Sequence, residues 1–425
     1  MTKIYFGLIR YIDIHKNGGF AIKKIKQAVI LAGGLGTRLH PLTNSIPKPM
    51  IQFHGKPFLE YLIEYLKENG FSEVVLLLGY LSEKVIEYFG DGSELGIKIK
   101  YSVGSVEDKT GTRIRNAKHL IDEVFMLMYC DNYLPIDMKK YIDFFNKQNS
   151  NSSVIVYTNK DAFSKNNIKV NPEGIVEKYD KTRTQENLSG VEIGFFILGK
   201  KKIFNLMPDN ENFSFQKIVI PHLVKNGDLS AYLTDQRYYS IGNIERLKIT
   251  EEFLKPKKVV FLDRDGVINK KAPKADYVKS WDEFEFLPGV LEGIKTLTQN
   301  NYQIYIISNQ AGIARGMMTE EDLSDIHQKM ISEVEKHGGK INDIYYCPHG
   351  WDDGCSCRKP KPGMFYQASR EHHIDLTKSI FIGDDERDKM AGDAAGLKTI
   401  LCEPDSNFIE IVKNINVDYY DINQL

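Results

Sequence analysis

The chain has 425 residues, which is enough for two or three domains of ordinary size. Hydrophobic residues make up 42% and charged residues 27%, a composition typical of a globular protein with full-sized cores. The 56 Lys and Arg residues against 57 Asp and Glu give a net charge of −1, which argues against nucleic acid as the main partner, because phosphate-backbone binding needs a basic surplus. Every apolar run is much shorter than the roughly 18–20 residues of a membrane span, so no membrane partner is expected.

The first 26 residues are predicted to be an N-terminal extension, and their pattern indicates no particular role. Their longest apolar run, Ile4–Ile9, is too short and too early for a signal peptide. We therefore expect a cytoplasmic protein with reduced cysteines. Cys347, Cys355 and Cys357 fall within eleven residues, and in a reducing compartment this spacing favours a metal over disulfides.

Two α/β domains are predicted, at residues 27–254 and 259–425, with a linker at residues 255–258. The first begins with the apolar strand Ala28–Leu31, and the segment Phe58–Asn69 has a helical pattern. Four further strands are predicted in this domain: Glu73–Leu78, Ile97–Tyr101, Phe125–Tyr129 and Ser153–Tyr157. Strands that alternate with helices predict a doubly wound, mostly parallel sheet of the Rossmann-like kind.

The second domain repeats this pattern and begins with the strand Val259–Leu262. Its later predicted strands are Gln303–Ile307, Asp343–Cys347, Ser379–Ile382 and Thr399–Leu401. In both domains, polar residues suited to chemistry come directly after strands. Open parallel sheets bind ligands at the carboxyl ends of their strands, so we expect each domain to carry its own site there.

A glycine-rich loop, Leu31-Ala-Gly-Gly-Leu-Gly-Thr-Arg38, follows the first strand. Glycines let backbone amides approach phosphate oxygens, and Arg38 adds positive charge and forked donors. A tight strand-to-helix turn is the alternative, since the known dinucleotide and phosphate-loop patterns are both absent. The segment Pro47-Lys48-Pro49-Met50 adds a lysine between two stiff residues, which fits a lysine held in position for phosphate.

Together these segments resemble the sugar-1-phosphate nucleotidyltransferases over Ala28–Tyr61, and more weakly to about Leu247. The resemblance implies attack of a sugar 1-phosphate on a nucleoside triphosphate, a reaction catalysed by positioning and positive charge. It assigns catalytic roles to Lys48 and Arg38 and a Mg²⁺ ion to Asp131. The substrate residues that it implies are Gly33, Gly34, Gly36 and Thr37 for the triphosphate, Gly111 for the base, and Glu177 and Lys178 for the sugar and its phosphate.

Two positions weaken this assignment. For Glu177 and Lys178 a solvated surface is the alternative, because such pairs are common. The late motif reads Tyr239-Ser240-Ile241-Gly242, whereas the family usually has an aspartate before Ile-Gly as a second metal ligand. The missing carboxylate leaves open whether this domain is catalytic.

Two carboxylates stand two residues apart in Asp263-Arg-Asp265-Gly, directly after a strand. In extended backbone their side chains point the same way, so one could attack phosphorus while the other moves a proton. An ordinary Asp-Gly turn is the alternative. Later segments favour the first interpretation, since they add an oxyanion ligand, a cation and more carboxylates: Ser308-Asn309-Gln310, Lys359 and Gly383-Asp384-Asp385.

This set resembles the haloacid dehalogenase-like phosphatases over residues 259–401. The resemblance makes Asp263 the nucleophile and Asp265 the general acid/base, with Ser308, Asn309 and Lys359 binding the substrate. It places Mg²⁺ on Asp263, the backbone carbonyl of Asp265, and Asp384. Only 45 residues separate Asp263 from Ser308, so the domain is expected to lack a large cap.

A finer resemblance is to heptose-1,7-bisphosphate 7-phosphatases, with histidinol phosphatases as the competing subfamily. It is carried by Ser308–Gly316, Cys347-Pro-His349 and Arg358–Gly363, and it adds Arg358 to the substrate site. Cys347, His349, Cys355 and Cys357 offer three thiolates and one imidazole in one loop, a set that suits tetrahedral zinc. Unrelated reactive cysteines are the alternative. Because all four positions would be filled by the protein, the zinc is expected to be structural.

The expected function is therefore a bifunctional enzyme of NDP-heptose synthesis. It would remove the 7-phosphate of heptose 1,7-bisphosphate and then couple heptose 1-phosphate to a nucleotide, with GTP as the expected donor. Its expected partners are small-molecule substrates and Mg²⁺ at both sites, and a homo-oligomer is compatible with the sequence. Two alternatives stay open: a hexose-1-phosphate nucleotidyltransferase fused to a histidinol-phosphatase-like domain, or a phosphatase regulated by a non-catalytic sugar-nucleotide-binding domain.

Overall fold

The computed structural model describes residues 24–148, 150–403 and 406–422, with side chains up to residue 415. Most of the predicted N-terminal extension lies outside these ranges. The strands of the first domain are, in chain order, β1 (Gln27–Leu31), β2 (Gln52–Phe53), β3 (Lys56–Pro57), β4 (Glu73–Leu78), β5 (Lys98–Val103), β6 (Val124–Tyr129), β7 (Asn132–Tyr133), β8 (Ser152–Tyr157), β9 (Ile168–Val170), β10 (Val176–Tyr179), β11 (Val191–Gly199), β12 (Ser230–Thr234) and β13 (Tyr239–Ser240). Its helices are α1 (Phe58–Glu68), α2 (Ser82–Phe89), α3 (Thr110–Asn116), α4 (Met138–Lys147), α5 (Lys200–Phe204), α6 (Phe215–Lys225) and α7 (Ile244–Leu254).

The second domain follows after three residues. Its strands are β14 (Lys258–Leu262), β15 (Tyr302–Asn309), β16 (Asp343–Cys347), β17 (Ile380–Gly383) and β18 (Lys398–Leu401). Its helices are α8 (Val290–Gln299), α9 (Glu320–Lys336), α10 (Gly363–His372), α11 (Glu386–Ala395) and α12 (Phe408–Ile422). Within the described part of the chain, no helix combines the length and the apolar character needed to cross a membrane.

The main sheet of the first domain has the strand order β12-β8-β11-β6-β1-β4-β5 among the described residues. Neighbouring strands are parallel except at β11, which runs antiparallel to both β6 and β8. The central strand β1 is buried throughout and alternates between two cores, with Ile30 in one and Val29 in the other. Strands covered on both faces read as continuous apolar runs, which is why the sequence predicts them.

The sheet of the second domain has the order β16-β15-β14-β17-β18 and is parallel throughout its described strands. The chain leaves β14 toward β15 on one side and returns to β17 on the other. The loops after β14 and β17 therefore diverge and leave a crevice at the carboxyl ends of these strands, where open α/β sheets bind ligands.

The predicted fold class, two mostly parallel α/β sheets, is confirmed. The predicted strands agree with the structure to within two residues at each end. The sequence analysis missed β11 and β12, which extend the first sheet beyond β6. Because β11 is antiparallel, it does not take part in the strand–helix alternation on which the prediction depended.

The two domains pack against each other where α10 meets the chain around β13. Gln236 Nε2 donates a hydrogen bond to Ser369 Oγ at 3.1 Å, and the Tyr239 hydroxyl donates to the backbone carbonyl of Ser369 at 3.5 Å. From the linker, Lys257 Nζ donates to the carbonyls of His372 and His373, both at 3.0 Å. The linker is thus tied to the helix that carries the interface.

Candidate active sites

The glycine-rich loop after β1 lines a cavity of about 750 Å³ at the carboxyl ends of the parallel strands. The predicted triphosphate residues all lie on this wall: Gly33, Gly34, Gly36, Thr37 and Arg38. Gly36 has a φ of 67°, and a Cβ there would come within 3.2 Å of the side chains of Lys48 and Thr43. Glycine is therefore required at the point where the loop turns toward Lys48.

Arg113 of α3 braces this loop from behind. Its guanidinium is buried and donates to the carbonyls of Leu78, Gly33 and Ser105 at 2.5, 3.1 and 2.7 Å. A Cβ on Gly33 would lie 2.4 Å from the guanidinium carbon, so the absence of a side chain at Gly33 makes room for Arg113. The sequence analysis did not single out Arg113, because its partners are backbone carbonyls distant in sequence.

Lys48 and Asp131, predicted as the phosphate lysine and the magnesium aspartate, form an ion pair with Nζ and Oδ2 2.7 Å apart. Lys48 is 9% exposed, and Asp131 follows the end of β6. Both residues line the same cavity as Arg38. The structure thus brings the predicted catalytic residues of the first domain together on one wall.

A second cavity of about 540 Å³ adjoins the first. The residues that line both cavities mark the junction: Arg38, Tyr129, Asp131, Lys181, Gln216 and Gly242. Glu177 and Lys178, the predicted sugar pair, line neither. They are exposed on β10, where Glu177 pairs with Lys169 at 2.9 Å. Lys181, three residues further on, occupies the junction instead.

Lys181 reaches this position because Asp180 fixes the loop that contains it. The buried carboxylate of Asp180 accepts hydrogen bonds from three backbone N–H groups of residues 182–185, at 2.7–2.9 Å, and from the Thr182 hydroxyl at 2.5 Å. The Thr182 bond and the backbone bonds hold the pKa of Asp180 well below its ordinary value. The loop so fixed presents Lys181 to both cavities and Arg183 to the second.

Glu192 of β11 is a buried carboxyl on the wall of the second cavity. Burial raises its pKa to about 7, although Arg183 and the Tyr179 hydroxyl act in the opposite direction. Among the described residues, its Oε1 has no hydrogen-bond partner. Such a group can accept hydrogen bonds from ligand hydroxyls. A charged residue inside the apolar run Val191–Leu198 is the signal that could have identified it.

Two other predicted positions differ from expectation in their surroundings. Gly111 does not line the cavity: its backbone N–H donates to the Phe213 carbonyl at 3.0 Å, and a Cβ there would lie 2.2 Å from the Phe213 ring. Ser240 is buried on β13 beside Asn132 and lines the second cavity. Asp131 belongs to none of the clusters of three or more possible metal ligands found in the described ranges.

In the second domain, Lys359 lies at the centre of the predicted phosphatase site. Its Nζ is 2.9 Å from Asp263 Oδ1 and 2.7 Å from Asp388 Oδ1, and it donates to the Ile307 carbonyl at 3.1 Å. Burial alone would lower the pKa of Lys359, but the two carboxylates raise it above the ordinary value, so the lysine is charged. Burial raises the pKa of Asp263 well above its usual range; Lys359 opposes this shift and Asp388 adds to it.

Asp265 is held by several donors. Its carboxylate accepts from Gln310 Nε2 at 2.8 Å, Asn269 Nδ2 at 3.0 Å and Arg264 Nη2 at 3.0 Å. Burial would raise its pKa, but the Arg264 charge and the hydrogen bonds bring it below the ordinary value. Gln310 also donates to Ser308 Oγ at 2.7 Å and so links the proposed acid/base to the proposed phosphoryl ligand.

Carboxylate oxygens of Asp263, Asp384 and Asp388 lie within 4.8 Å of one another. Asp384 Oδ1 is buried and has no hydrogen-bond partner in the described ranges, while its other oxygen pairs with Lys271. Hard oxygen ligands of this kind suit Mg²⁺, and the unpartnered oxygen fits a metal ligand. The sequence analysis did not assign Asp388 to the site, because only the fold brings α11 to Lys359.

The other predicted substrate residues lie beside Lys359. Asn309 Oδ1 accepts from the backbone N–H of Lys359 at 3.0 Å and Nδ2 donates to its carbonyl at 3.1 Å, so Asn309 positions this lysine. Arg358 lines a neighbouring cavity of about 410 Å³ together with Trp351 and Arg387. Its guanidinium donates to the His349 carbonyl at 3.4 Å, which connects the cavity to the cysteine-rich loop.

The four predicted zinc ligands converge. Cys347 Sγ lies 3.7 Å from Cys355 Sγ and 3.6 Å from His349 Nδ1, and His349 Nδ1 lies 3.2 Å from Cys357 Sγ. With Zn–S bonds of about 2.3 Å, the sulfur atoms of a tetrahedral site are about 3.8 Å apart. The donor set and its spacing therefore fit zinc.

The two halves of the chain match different families. Residues 27–255 match the family described as nucleotidyl transferase, and residues 258–420 match the family described as polynucleotide kinase 3 phosphatase. The second half is 43% identical over 139 residues to the D-glycero-beta-D-manno-heptose-1,7-bisphosphate 7-phosphatase of Bordetella bronchiseptica, covering 33% of this chain and 76% of that protein. It is 41% identical over 164 residues to the D-glycero-alpha-D-manno-heptose-1,7-bisphosphate 7-phosphatase of Campylobacter jejuni, covering 37% and 91%.

Two solved structures are similar to the separate halves. HddC from Yersinia pseudotuberculosis has 28% identity and a TM-score of 0.47, covering 54% of this chain and 100% of that one. The D,D-heptose 1.7-bisphosphate phosphatase from B. bronchiseptica, complexed with magnesium and phosphate, has 35% identity and a TM-score of 0.36, covering 38% and 99%.

The two family matches define a two-domain enzyme with a transferase half and a phosphatase half, and each half has a crevice at the carboxyl ends of its parallel strands. The chain belongs to the nucleotidyl transferase family, and its second half belongs with the heptose-bisphosphate 7-phosphatases. Both resemblances drawn from the sequence are thereby confirmed.

We expect Arg113→Met to destabilise the first domain, because the carbonyls of Leu78, Gly33 and Ser105 would each lose one of their donors next to a buried side chain. The expected loss is about 3 kcal/mol in the free energy of unfolding. Urea denaturation followed by circular dichroism measures it, with Lys118→Met, an exposed position after the same helix, as the control. Equal unfolding midpoints for the two variants would contradict the bracing role.

Proposed function

We propose that the chain is a bifunctional enzyme of NDP-heptose synthesis. The phosphatase half removes the 7-phosphate of heptose 1,7-bisphosphate, and the transferase half couples heptose 1-phosphate to a nucleoside triphosphate, with GTP proposed as the donor from the family resemblance. The observation that carries the proposal is the presence of both sites in one chain: a sugar 1-phosphate is what the first reaction leaves and what the second consumes. We place both reactions in the cytoplasm; a homo-oligomer stays a prediction.

In the phosphatase half, a carboxylate oxygen of Asp263 attacks phosphorus and the sugar O7 leaves with a proton from Asp265. Water, deprotonated by Asp265, then hydrolyses the aspartyl phosphate. The lowered pKa of Asp265 describes the free site; the negative charge of an incoming phosphate raises its proton affinity. Lys359 and Ser308 bind the phosphoryl oxygens. Mg²⁺, held by Asp263, the Asp265 carbonyl and Asp384, would neutralise phosphoryl charge.

In the transferase half, an oxygen of the sugar 1-phosphate attacks the α-phosphorus in line, and pyrophosphate leaves. Backbone amides of the glycine loop hold the triphosphate, while Lys48 and Arg38 stabilise the charge that develops. Lys181 takes the sugar-phosphate role that the family resemblance assigned to Lys178, because Lys181 lies at the junction of the two cavities. Ser240 is a weaker metal ligand than a carboxylate, so Mg²⁺ at this site would depend on Asp131 and substrate phosphates.

The experiment that tests the proposal compares two variants of the full chain. Asp263→Asn is expected to abolish phosphate release from heptose 1,7-bisphosphate while pyrophosphate release from GTP and heptose 1-phosphate persists. Asp131→Asn is expected to do the reverse, since no second carboxylate compensates. Asp325→Asn, an exposed acid on α9, is the control and should retain both activities. Loss of both activities in either folded variant would refute the division of labour.

Ser240 favours a second candidate, in which the first domain binds a sugar nucleotide and only regulates the phosphatase. The assay therefore includes the parent protein with each nucleoside triphosphate, with heptose and hexose 1-phosphates, over a range of magnesium concentrations. Nucleotide binding without pyrophosphate release under every condition would establish the regulatory function in place of the transferase.

The cysteine-rich loop is proposed to hold one structural zinc ion per chain, in the phosphatase half. Since metal binding contributes folding free energy, on the order of 10 kcal/mol in small sites, Cys355→Ser is expected to lose the metal and destabilise this half. Elemental analysis and thermal unfolding measure the two effects, with Cys402→Ser as a thiol control outside the loop. Absence of zinc from the parent protein, purified without chelator, would contradict the assignment.

Glu192 is proposed to accept hydrogen bonds from sugar hydroxyls, and its pKa of about 7 predicts a pH dependence. The carboxyl loses its proton as the pH rises through 7, and the carboxylate is the stronger acceptor. The KM for heptose 1-phosphate is therefore expected to fall between pH 6 and pH 8. Glu192→Gln cannot titrate and also controls for ionisation of the substrate phosphate. The same pH profile in both proteins would exclude this role.

A further inference from the structure

The second cavity of the first domain, where we place the sugar, carries more positive charge than a sugar with a single phosphate requires. Four cationic side chains line it, against two carboxyl groups: Arg38, Lys181, Arg183 and Arg246, against Asp131 and Glu192. Asp131 is already paired with Lys48, and Glu192 is only partly ionised near pH 7. A surplus of positive charge is thus left for ligands.

This charge lies at two places. Arg38 and Lys181 lie at the junction with the first cavity, which the glycine-rich loop lines. The 1-phosphate of the sugar has to lie at this junction for the proposed transfer. Arg183 and Arg246 line only the second cavity, and both contact the same loop, residues 163–165. Arg183 Nη1 donates to Ser164 Oγ at 2.9 Å and to the carbonyl of residue 165 at 2.8 Å, and Arg246 Nη2 donates to the carbonyl of residue 163 at 2.6 Å.

These two arginines are held by neutral atoms. Within the described ranges, neither has a carboxylate within the 4.0 Å of an ion pair, and Arg246 Nη1 is buried without a hydrogen-bond partner. The Arg246 guanidinium stacks 3.5 Å from the centre of the Phe163 ring. Arg237 stacks on the same ring at 4.2 Å, but it is paired with Asp161 at 2.6 Å. Both arginines are half-buried and have no ion-pair partner among the described residues, so an anionic ligand in this cavity could accept charge-assisted hydrogen bonds from them.

We propose that Arg183, Arg246 and Ser164 form a second anion subsite, which takes a phosphate monoester at the end of the sugar remote from its 1-phosphate. The inference rests on the proposed transferase function and extends its substrate class to sugar bisphosphates. The 1-phosphate oxygen forms a bond to the α-phosphorus, the bond from that phosphorus to the β-bridging oxygen breaks, and pyrophosphate leaves. The distal ester is unchanged. Dephosphorylation can then follow nucleotidyl transfer as well as precede it.

The test uses the full chain with Asp263→Asn, so that the bisphosphate survives. With GTP, we expect a KM for heptose 1,7-bisphosphate at least tenfold below that for heptose 1-phosphate, and a nucleotide-sugar whose mass includes the second phosphate. Adding Arg183→Gln or Arg246→Gln is expected to remove most of this tenfold preference. Lys160→Gln, an exposed lysine in the same domain, is the charge control and should leave it unchanged.

Calorimetric titration of the same proteins with heptose 1,7-bisphosphate separates the inference from the proposed function. Two binding sites are expected in the Asp263→Asn parent, and one should be lost with either arginine variant. The subsite is overturned, and the proposed function stands, if the parent turns over the monophosphate without preferring the bisphosphate. The same holds if an arginine variant loses activity equally on both substrates. If neither substrate turns over, the proposed function fails; loss of one binding site then supports the subsite, and unchanged binding overturns it.

Discussion

Each candidate site contains a lysine that is almost fully buried and forms an ion pair with a carboxylate. Both lysines lie near the carboxyl ends of parallel strands. Lys48 is paired with Asp131, and Lys359 with Asp263 and Asp388. Removing one partner leaves the other charge uncompensated, which costs most at the buried Lys359 cluster, so each partner fixes the other in place. A phosphate ester that arrives with a divalent cation offers each charge a new partner, since the lysine can bind phosphate while the carboxylate binds metal. In the free protein, the ion pairs thus hold the lysine and carboxylate side chains in position until a substrate and a metal ion bind to them.

The sequence predicted the parts of these sites that are local in the chain. Asp263 and Asp265 follow a strand at a spacing that fixes their relative direction, and the cysteine loop carries its four ligands in one segment. The parts that depend on packing were not predictable in this way. Arg113 contacts carbonyls from three segments, and Asp388 reaches Lys359 only because α11 packs against β17, the neighbour of β14 in the sheet. The residue types were visible in the sequence, but it did not show which residues distant in the chain lie close together in the fold.

The sugar pair shows a different limit. Glu177 and Lys178 have the residue types that the family pattern requires, but β10 is a short strand of a two-stranded sheet and leaves both exposed. The carboxylate of Asp180 instead orders the next loop, which brings Lys181 inward. Glu192 then supplies a carboxyl from β11, a strand that the strand–helix alternation could not reveal. In the proposed function, the sugar contacts thus come from Lys181, three residues after Lys178, and from Glu192, fifteen residues after Glu177.

The two domains have separate chemistry but share an interface. Helix α10 begins four residues after Lys359, and near its other end Ser369 contacts Gln236 and Tyr239, next to Ser240 of the transferase cavity. A helix of ten residues is about 15 Å long, so the interface contact and the chain that leads from Lys359 lie near opposite ends of one short helix. Ser240 also removes a negative charge from a cavity that already has a basic surplus. In the proposed transferase reaction, the first domain would therefore rely more on the charges of its substrates, and less on its own carboxylates, than its family pattern implies. One wall of its second cavity packs against the helix that follows the phosphatase lysine.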